Sequence, residues 1–374
     1  MKNKFMEKRR RKFSELMIKN KMDALVAISP ENVLYSTDAY IMTQKLIRDR
    51  LEIALFLPNR EPIFIVCGIE ESLVRKETWI EDIRSYIEFK ESPIQFLVNA
   101  LLEIGLEKGK IGIETHCLSA YHYDKLIRNL PNAEFVDCRE VFKEARMIKD
   151  AGEIQILAKA AKATRKAVEA AFLIARPGDT ETDVANQIKI NLMGQGADEV
   201  SFATLGTGEK SMIINPTPSS IPLKPGDIVT ADYGGLFSGY LSDLARSAAV
   251  SRASSVQSDT YKKLAIIQKN VIESIKVGTR CCDVFNKCKR LYEKEDLIFD
   301  MPHIGHGLGV GLHEEPEINP LNKRTLQENM ILNIEPFVIH NGSGYHIEDL
   351  VQVTANGAKV LTESSMSDKI PIIN

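Results

Sequence analysis

Four acidic residues sit where acids are unusual, inside apolar runs that read as β-strands. Asp232 and Asp243 fall in "IVTADYGGLFSGYLSDLARSAAV" (228–250), and Glu335 and Glu348 in "MILNIEPFVIHNGSGYHIEDLVQV" (330–353). Strands deplete acidic residues, and an unpaired buried carboxylate costs several kcal/mol. The midpoint of the two aspartates falls between Phe237 and Ser238, inside a Gly-rich turn. The midpoint of the two glutamates falls between Asn341 and Gly342, and Asn-Gly is the strongest short hairpin signal. Symmetric hairpins would put each acid pair face to face on one side of its sheet. Two such pairs repel unless a cation lies between them. Four carboxylates can hold two divalent ions about 3.5–4 Å apart, so Glu348 is expected to face metal.

A fifth ligand is suggested by "HIGHGLGVGLHEEP" (303–316), where His306 stands between Gly305 and Gly307. Flanking glycines let the backbone approach a site closely. His303, His306 and His313 fall within a short span of a chain that has only seven histidines. Oxygen-rich ligation with one imidazole and no thiolate favours Mn, Fe, Co or Zn over a structural zinc. His116, His122 and His340 read as ordinary histidines.

These residues need a scaffold. Over the first ~150 residues helical and strand patterns alternate, as in an α/β domain with a largely buried sheet. "KFSELMIKNKM" reads as a helix, "DALVAI" as a strand ending at Ser29-Pro30, and "LEIALFLP" and "EPIFIVC" as two strands. "QFLVNALLEIGL" reads as a helix, and "KIGIE" and "AEFVDC" as strands. A long Ala- and Lys-rich helix follows near Ile148, where the domain boundary is placed, giving domains 1–147 and 148–374. Within the second domain, "RPGDTETDVANQI" at Arg176 is echoed by "KVGTRCCDVFNKC" at Lys276, 100 residues on. Each copy has Gly, then a Thr or Asp cap, then Asp-Val opening a helix. Two similar half-domains about a pseudo-twofold axis would place a site between them.

The chain has 374 residues, 44% hydrophobic and 26% charged, with a net charge of −3. That length favours two domains, and that charge does not favour nucleic acid or anionic membrane. The basic run Lys8–Lys12 reads as the solvated start of an amphipathic helix. With no apolar run near 18 residues and no signal-peptide pattern, a cytoplasmic chain is expected. The six cysteines form no CxxC pair and are expected as free thiols.

Asp-x₁₀-Asp, Gly-His-Gly with His-Glu-x-Pro downstream, Ile-Glu-Pro and Ile-Glu-Asp, in that order, resemble the methionine aminopeptidase/prolidase/creatinase superfamily, metallopeptidase family M24. "SPENVLYST", "ARMIKDAGEI" and "PLKPGDIVTADYG" resemble other stretches of the same family, so the likeness covers nearly the whole chain. The resemblance implies an N-terminal creatinase-like α/β domain. A C-terminal pita-bread (α+β) domain would follow, with pseudo-twofold βα halves around a curved antiparallel sheet. It implies a dinuclear site of Asp232, Asp243, His306, Glu335 and Glu348, with manganese foremost and cobalt, zinc or iron as alternatives. In such enzymes a metal-bound hydroxide attacks a carbonyl. Glu335 would double as proton shuttle, and His313 would help hold the substrate and the tetrahedral intermediate. The two-domain layout resembles Xaa-Pro dipeptidases and Xaa-Pro aminopeptidases, which implies small-peptide substrates and a homodimer.

The chain departs from the family pattern. Asn215 stands where these peptidases carry a histidine, His346 replaces the arginine of "RIED", and Phe337 replaces the glycine of "IEPG". His303 stands three residues before His306, where many prolidase-like sequences have a histidine four before. Asn215, His303 and His346 are assigned to the substrate side. These departures leave open a metal-dependent hydrolase of a non-peptide C–N bond in a small metabolite. A non-enzymatic pita-bread binding module ranks last, because all five ligand positions are intact.

Overall fold

The computed structural model describes residues 2–363 and 367–374. The chain forms two compact units, Met1–Arg146 and Met147–Asn374.

The first unit is built on strands β1 (Ala24–Ala27), β2 (Ile53–Leu57), β3 (Arg60–Cys67), β4 (Asp82–Tyr86), β5 (Lys110–Ile113) and β6 (Glu134–Asp137). They form one sheet in the order β4-β3-β2-β1-β5-β6. β2 is antiparallel to both neighbours, and the other pairings are parallel. The apolar runs of β1 and β2 are buried at every position, as a sheet covered on both faces requires. β4 has no sequence signature of a strand. Its "DIRSY" is half-polar, and Arg84 is held by Asp82 and Glu103, which suits an edge position.

Ser29-Pro30 ends β1 and opens the helix Pro30–Thr37. Ser29 Oγ accepts the Asn32 N–H, and Pro30 occupies the first turn, where a missing N–H costs nothing. The basic run lies in the helix Lys2–Lys19, whose Phe13 and Met17 are buried. It is not simply solvated, because the Arg9 guanidinium sits 4.3 Å above the Tyr35 ring.

The second unit contains the helices Ala151–Ile174, Glu181–Gly194, Ser255–Ser274 and Cys281–Lys294. Its strands are β7 (Glu199–Thr207), β8 (Ile228–Phe237), β9 (Tyr240–Leu241), β10 (Leu244–Val250), β11 (Gly305–Gly307), β12 (Ile331–Ile334), β13 (Phe337–His340), β14 (Ser343–His346), β15 (Asp349–Thr354), β16 (Gly357–Val360) and β17 (Ile372–Ile373). One sheet runs β17-β10-β8-β7, a second β11-β12-β15-β16, and β13 pairs with β14. Apart from the parallel β10–β17 contact, these pairings are antiparallel.

The internal echo is structural. Helices Glu181–Gly194 and Cys281–Lys294 are both 14 residues long. Each follows a glycine at positive φ, Gly178 at 97° and Gly278 at 87°. Those glycines donate to Leu223 O and Leu326 O at corresponding places. The caps differ. Thr180 makes a capping box with Asp183, whereas the second N-cap is Arg280, which has no side-chain cap and instead pairs with Asp283 at 2.8 Å.

Candidate metal centre

Asp232 lies on β8, and Asp243 in the short gap between β9 and β10. Ser238 and Gly239, at φ 50° and 84°, form a two-residue turn with both central residues left-handed, the type that suits a twisted hairpin. The turn therefore sits one residue later than the Gly-rich sequence suggested. Asp232 pairs with Ala245 and Tyr233 with Leu244, so Asp243 is a diagonal neighbour of Asp232 and not its direct partner. The offset is two residues and side chains alternate with period two, so both aspartates keep to one face.

The glutamate pair meets its expected register. Asn341 and Gly342 are both left-handed, at φ 47° and 75°. Phe337 pairs with His346 across β13–β14, and Ile334 with Asp349 across β12–β15. Glu335 and Glu348 fall opposite each other between these two ladders. His306 is the central residue of β11, paired with Asn333. The flanking glycines are required by close approach. A Cβ on Gly305 would lie 2.1 Å from Asn333 O, and one on Gly307 2.5 Å from Glu315 O.

Ligand atoms of Asp243, His306 and Glu348 lie within 4.8 Å of one another, all from buried residues. His306 Nε2 is 3.4 Å from both Asp243 Oδ2 and Glu335 Oε1. Among the described residues, Asp232 Oδ1, Glu335 Oε1 and both Glu348 carboxylate oxygens are buried without a hydrogen-bond partner. Burial, then the neighbouring acids, hold Asp232 and Glu348 well above the usual carboxylate range. Burial opposes charge on His306, but Asp243 and Glu335 outweigh it and raise the imidazole to about 9. Glu335 behaves differently. Burial pushes its pKa up, but His346, His306 and His303 together bring it below the usual value. Converging buried carboxylate oxygens, plus one imidazole, are a donor set fitted to divalent Mn, Fe, Co or Zn.

Three further histidines adjoin this cluster, and no contact ties Asn215 to it among the described residues. His303 Nδ1 is 3.4 Å from Glu335 Oε1, and His346 Nε2 is 3.7 Å from Glu335 Oε2. His313 stacks on His306 with ring centroids 3.8 Å apart. Phe337 meets His346 edge-on at 5.7 Å. Asn215 is exposed, and its side chain makes no hydrogen bond among the described residues.

Two partnerships were not visible in the sequence. Asp349 points to the face opposite Glu348 and is bound by Arg246 at 2.7 Å. Arg246 also donates to the backbone carbonyls of Glu348 and Ala245. Adjacent acids in "IEDL" thus have opposite duties, and period-two alternation was the available signal. The second partnership is a buried ion pair between Lys149 and Glu314. In a further group, Glu114, His116 and Cys117, the carboxylate is already engaged. The Glu114 oxygens are taken by the N–H groups of Ile28 and Ser29 and by the Asn32 side chain.

Residues 155–355 match the model of metallopeptidase family M24, and residues 9–148 that of the creatinase/prolidase N-terminal domain. The chain belongs to metallopeptidase family M24, as its motifs suggested. YkvY of Bacillus subtilis is 32% identical over 89% of this chain and 91% of its own length. An Xaa-Pro dipeptidase of Pyrococcus furiosus is 28% identical over 96% of this chain and 99% of its own. The crystal structure of the prolidase from Pyrococcus horikoshii superposes with a TM-score of 0.84 at 26% identity, covering 96% of this chain and 99% of that one. None of the described helices is long and apolar enough to cross a membrane.

Proposed function

We propose that this chain is a dinuclear-metal hydrolase of small peptides, cleaving the bond before proline. The ions would be held by Asp232, Asp243, His306, Glu335 and Glu348, with manganese the first choice. The observation that carries this reading is the convergence of buried, unpartnered carboxylate oxygens on the His306 imidazole. The proline preference is supported by the similarity to the P. furiosus Xaa-Pro dipeptidase.

Divalent ions supply Lewis acidity toward a carbonyl oxygen and ease the ionisation of water. The protein's share is positioning and proton transfer. Glu335, flanked by His303 and His346, takes the proton of the attacking water and returns it to the leaving amine. His313 donates to the oxygen that gains charge in the transition state. His303 and His346 flank the two Glu335 oxygens, restrain its rotation and face the substrate side, as does Asn215. The assembly is proposed to be a homodimer, which light scattering checks. Assay of Ala-Pro and Met-Pro with added Mn²⁺ or Co²⁺ tests the activity. Turnover is expected, and none with either ion would overturn the reading.

A further inference from the structure

Lys149 and Glu314 are separated by 165 residues, yet their side chains meet at 2.6 Å with almost no exposure. A buried pair of this kind is poor evidence of stabilisation, because desolvation offsets much of the attraction. Its surroundings suggest another role. Glu314 Oε1 accepts the Gly311 N–H at 3.0 Å. The Glu314 backbone exchanges two 2.9 Å hydrogen bonds with Gly307. Gly309 is pressed against the carboxyl, since a Cβ there would lie 2.6 Å from Glu314 Oε2. The carboxylate thus fills the loop that joins His306 to His313.

Three ligand carriers converge on this loop. Gly307 directly follows His306. Gly309 O accepts the Leu241 N–H at 2.8 Å, two residues before Asp243. Lys149 N donates to Asn329 O, and Ile148 bridges Met330, which leads through β12 to Glu335. Lys149 is therefore tied by its backbone to the glutamate strand and by its side chain to the histidine loop.

We infer that Lys149 and Glu314 are positioning residues: the buried pair holds the 307–314 loop closed, so that His313 stays stacked on His306 over the metal centre. This rests on the peptidase reading for the role of His313, but the geometry itself is independent of turnover. Neither side chain belongs to the proposed ligand set, so the inference concerns the placement of His313.

The test compares Lys149→Met/Glu314→Gln, Lys149→Arg and His313→Ala with wild type, each loaded with metal. The double substitution removes both charges together and so avoids stranding one of them. It is expected to keep the wild-type metal content and KM while kcat on Met-Pro falls about 100-fold, the scale of a misplaced group. Lys149→Arg, which retains the charge, should recover part of that loss. In the His313→Ala background the double substitution should cause no further loss, because it acts only through that ring. An undiminished further loss there, or wild-type kcat in the double variant, would overturn the inference. Should the double variant not fold, Glu314→Gln alone is read in the same way. The zinc-loaded protein supplies a readout without turnover. Ring-current shifts between His306 and His313 should be lost in the variant, and unchanged shifts would contradict the proposal. If wild type cleaves no peptide, the functional reading fails, and these shifts still decide the positioning role.

Discussion

The imidazole rings of His306 and His313 lie parallel, 13° apart in plane and 3.8 Å between centroids. His306 is drawn toward the acids and its pKa is raised to about 9. His313 titrates below the usual imidazole range, because of the packing around it and then the neighbouring His306. That upward shift belongs to the metal-free protein, since a bound cation would displace the His306 proton, whereas His313 stays neutral and is the ring proposed to donate to substrate. His313→Ala should lower kcat on Met-Pro about 10²-fold, the cost of one lost oxyanion donor, while metal content by plasma mass spectrometry stays at the wild-type value.

Glu335 and Glu348 face each other, yet they should respond in opposite senses when metal is removed. Glu348 is surrounded by acids, so in metal-free protein Glu348→Gln should raise the melting temperature, by the equivalent of about 1–3 kcal/mol. Glu335 is embraced by three histidines, so metal-free Glu335→Gln should melt below metal-free wild type. Acid-pair repulsion alone would have made both substitutions harmless, and the histidines around Glu335 reverse that expectation. Calorimetry of the chelated proteins reads both signs.

Glu52 of the first unit is fully buried, and among the described residues only its Oε2 has a partner, the Cys67 N–H at 3.0 Å. Burial raises its pKa to about 9, so the folded state holds a proton that the unfolded chain has released by neutral pH. Stability from this group is complete below the unfolded value and declines as pH rises toward 9. Glu52→Gln should therefore match wild type near pH 4.5 and exceed it increasingly at higher pH. The gain at pH 7 is expected to be about 1–3 kcal/mol, below the full linkage value. Parallel pH series of thermal melts would show the curves diverging, and equal slopes would refute the assignment.

Asn215 can donate a hydrogen bond but cannot exchange a proton near neutrality. If it weakens an otherwise complete peptidase, Asn215→His should raise kcat/KM on Xaa-Pro dipeptides about tenfold, a modest share of a general acid's effect. A fall would mark Asn215 as a specificity device for another C–N substrate.

The acid-bearing strands were legible because buried carboxylates break strand composition. Asp232, Asp243, Glu335 and Glu348 stand out against apolar neighbours, and Asn341-Gly342 gave the glutamate register. The aspartate register was displaced because Ser238, not a glycine, takes the first left-handed position of its turn, and serine gives little warning of that. β4 was missed because an edge strand need not be apolar. Lys149–Glu314 was illegible because the pairing of distant charges depends on tertiary packing. The environment of Glu335 was partly legible, since its three histidines were singled out, but their convergence on one carboxylate was not.

The buried acids are proposed to share a pair of ions. The most direct test is divalent metal per chain after dialysis, for wild type, Asp232→Ala and Glu348→Ala. Two equivalents are expected in wild type and at most one in either variant. Wild-type protein that folds and binds no metal, or variants that retain two equivalents, would contradict this proposal.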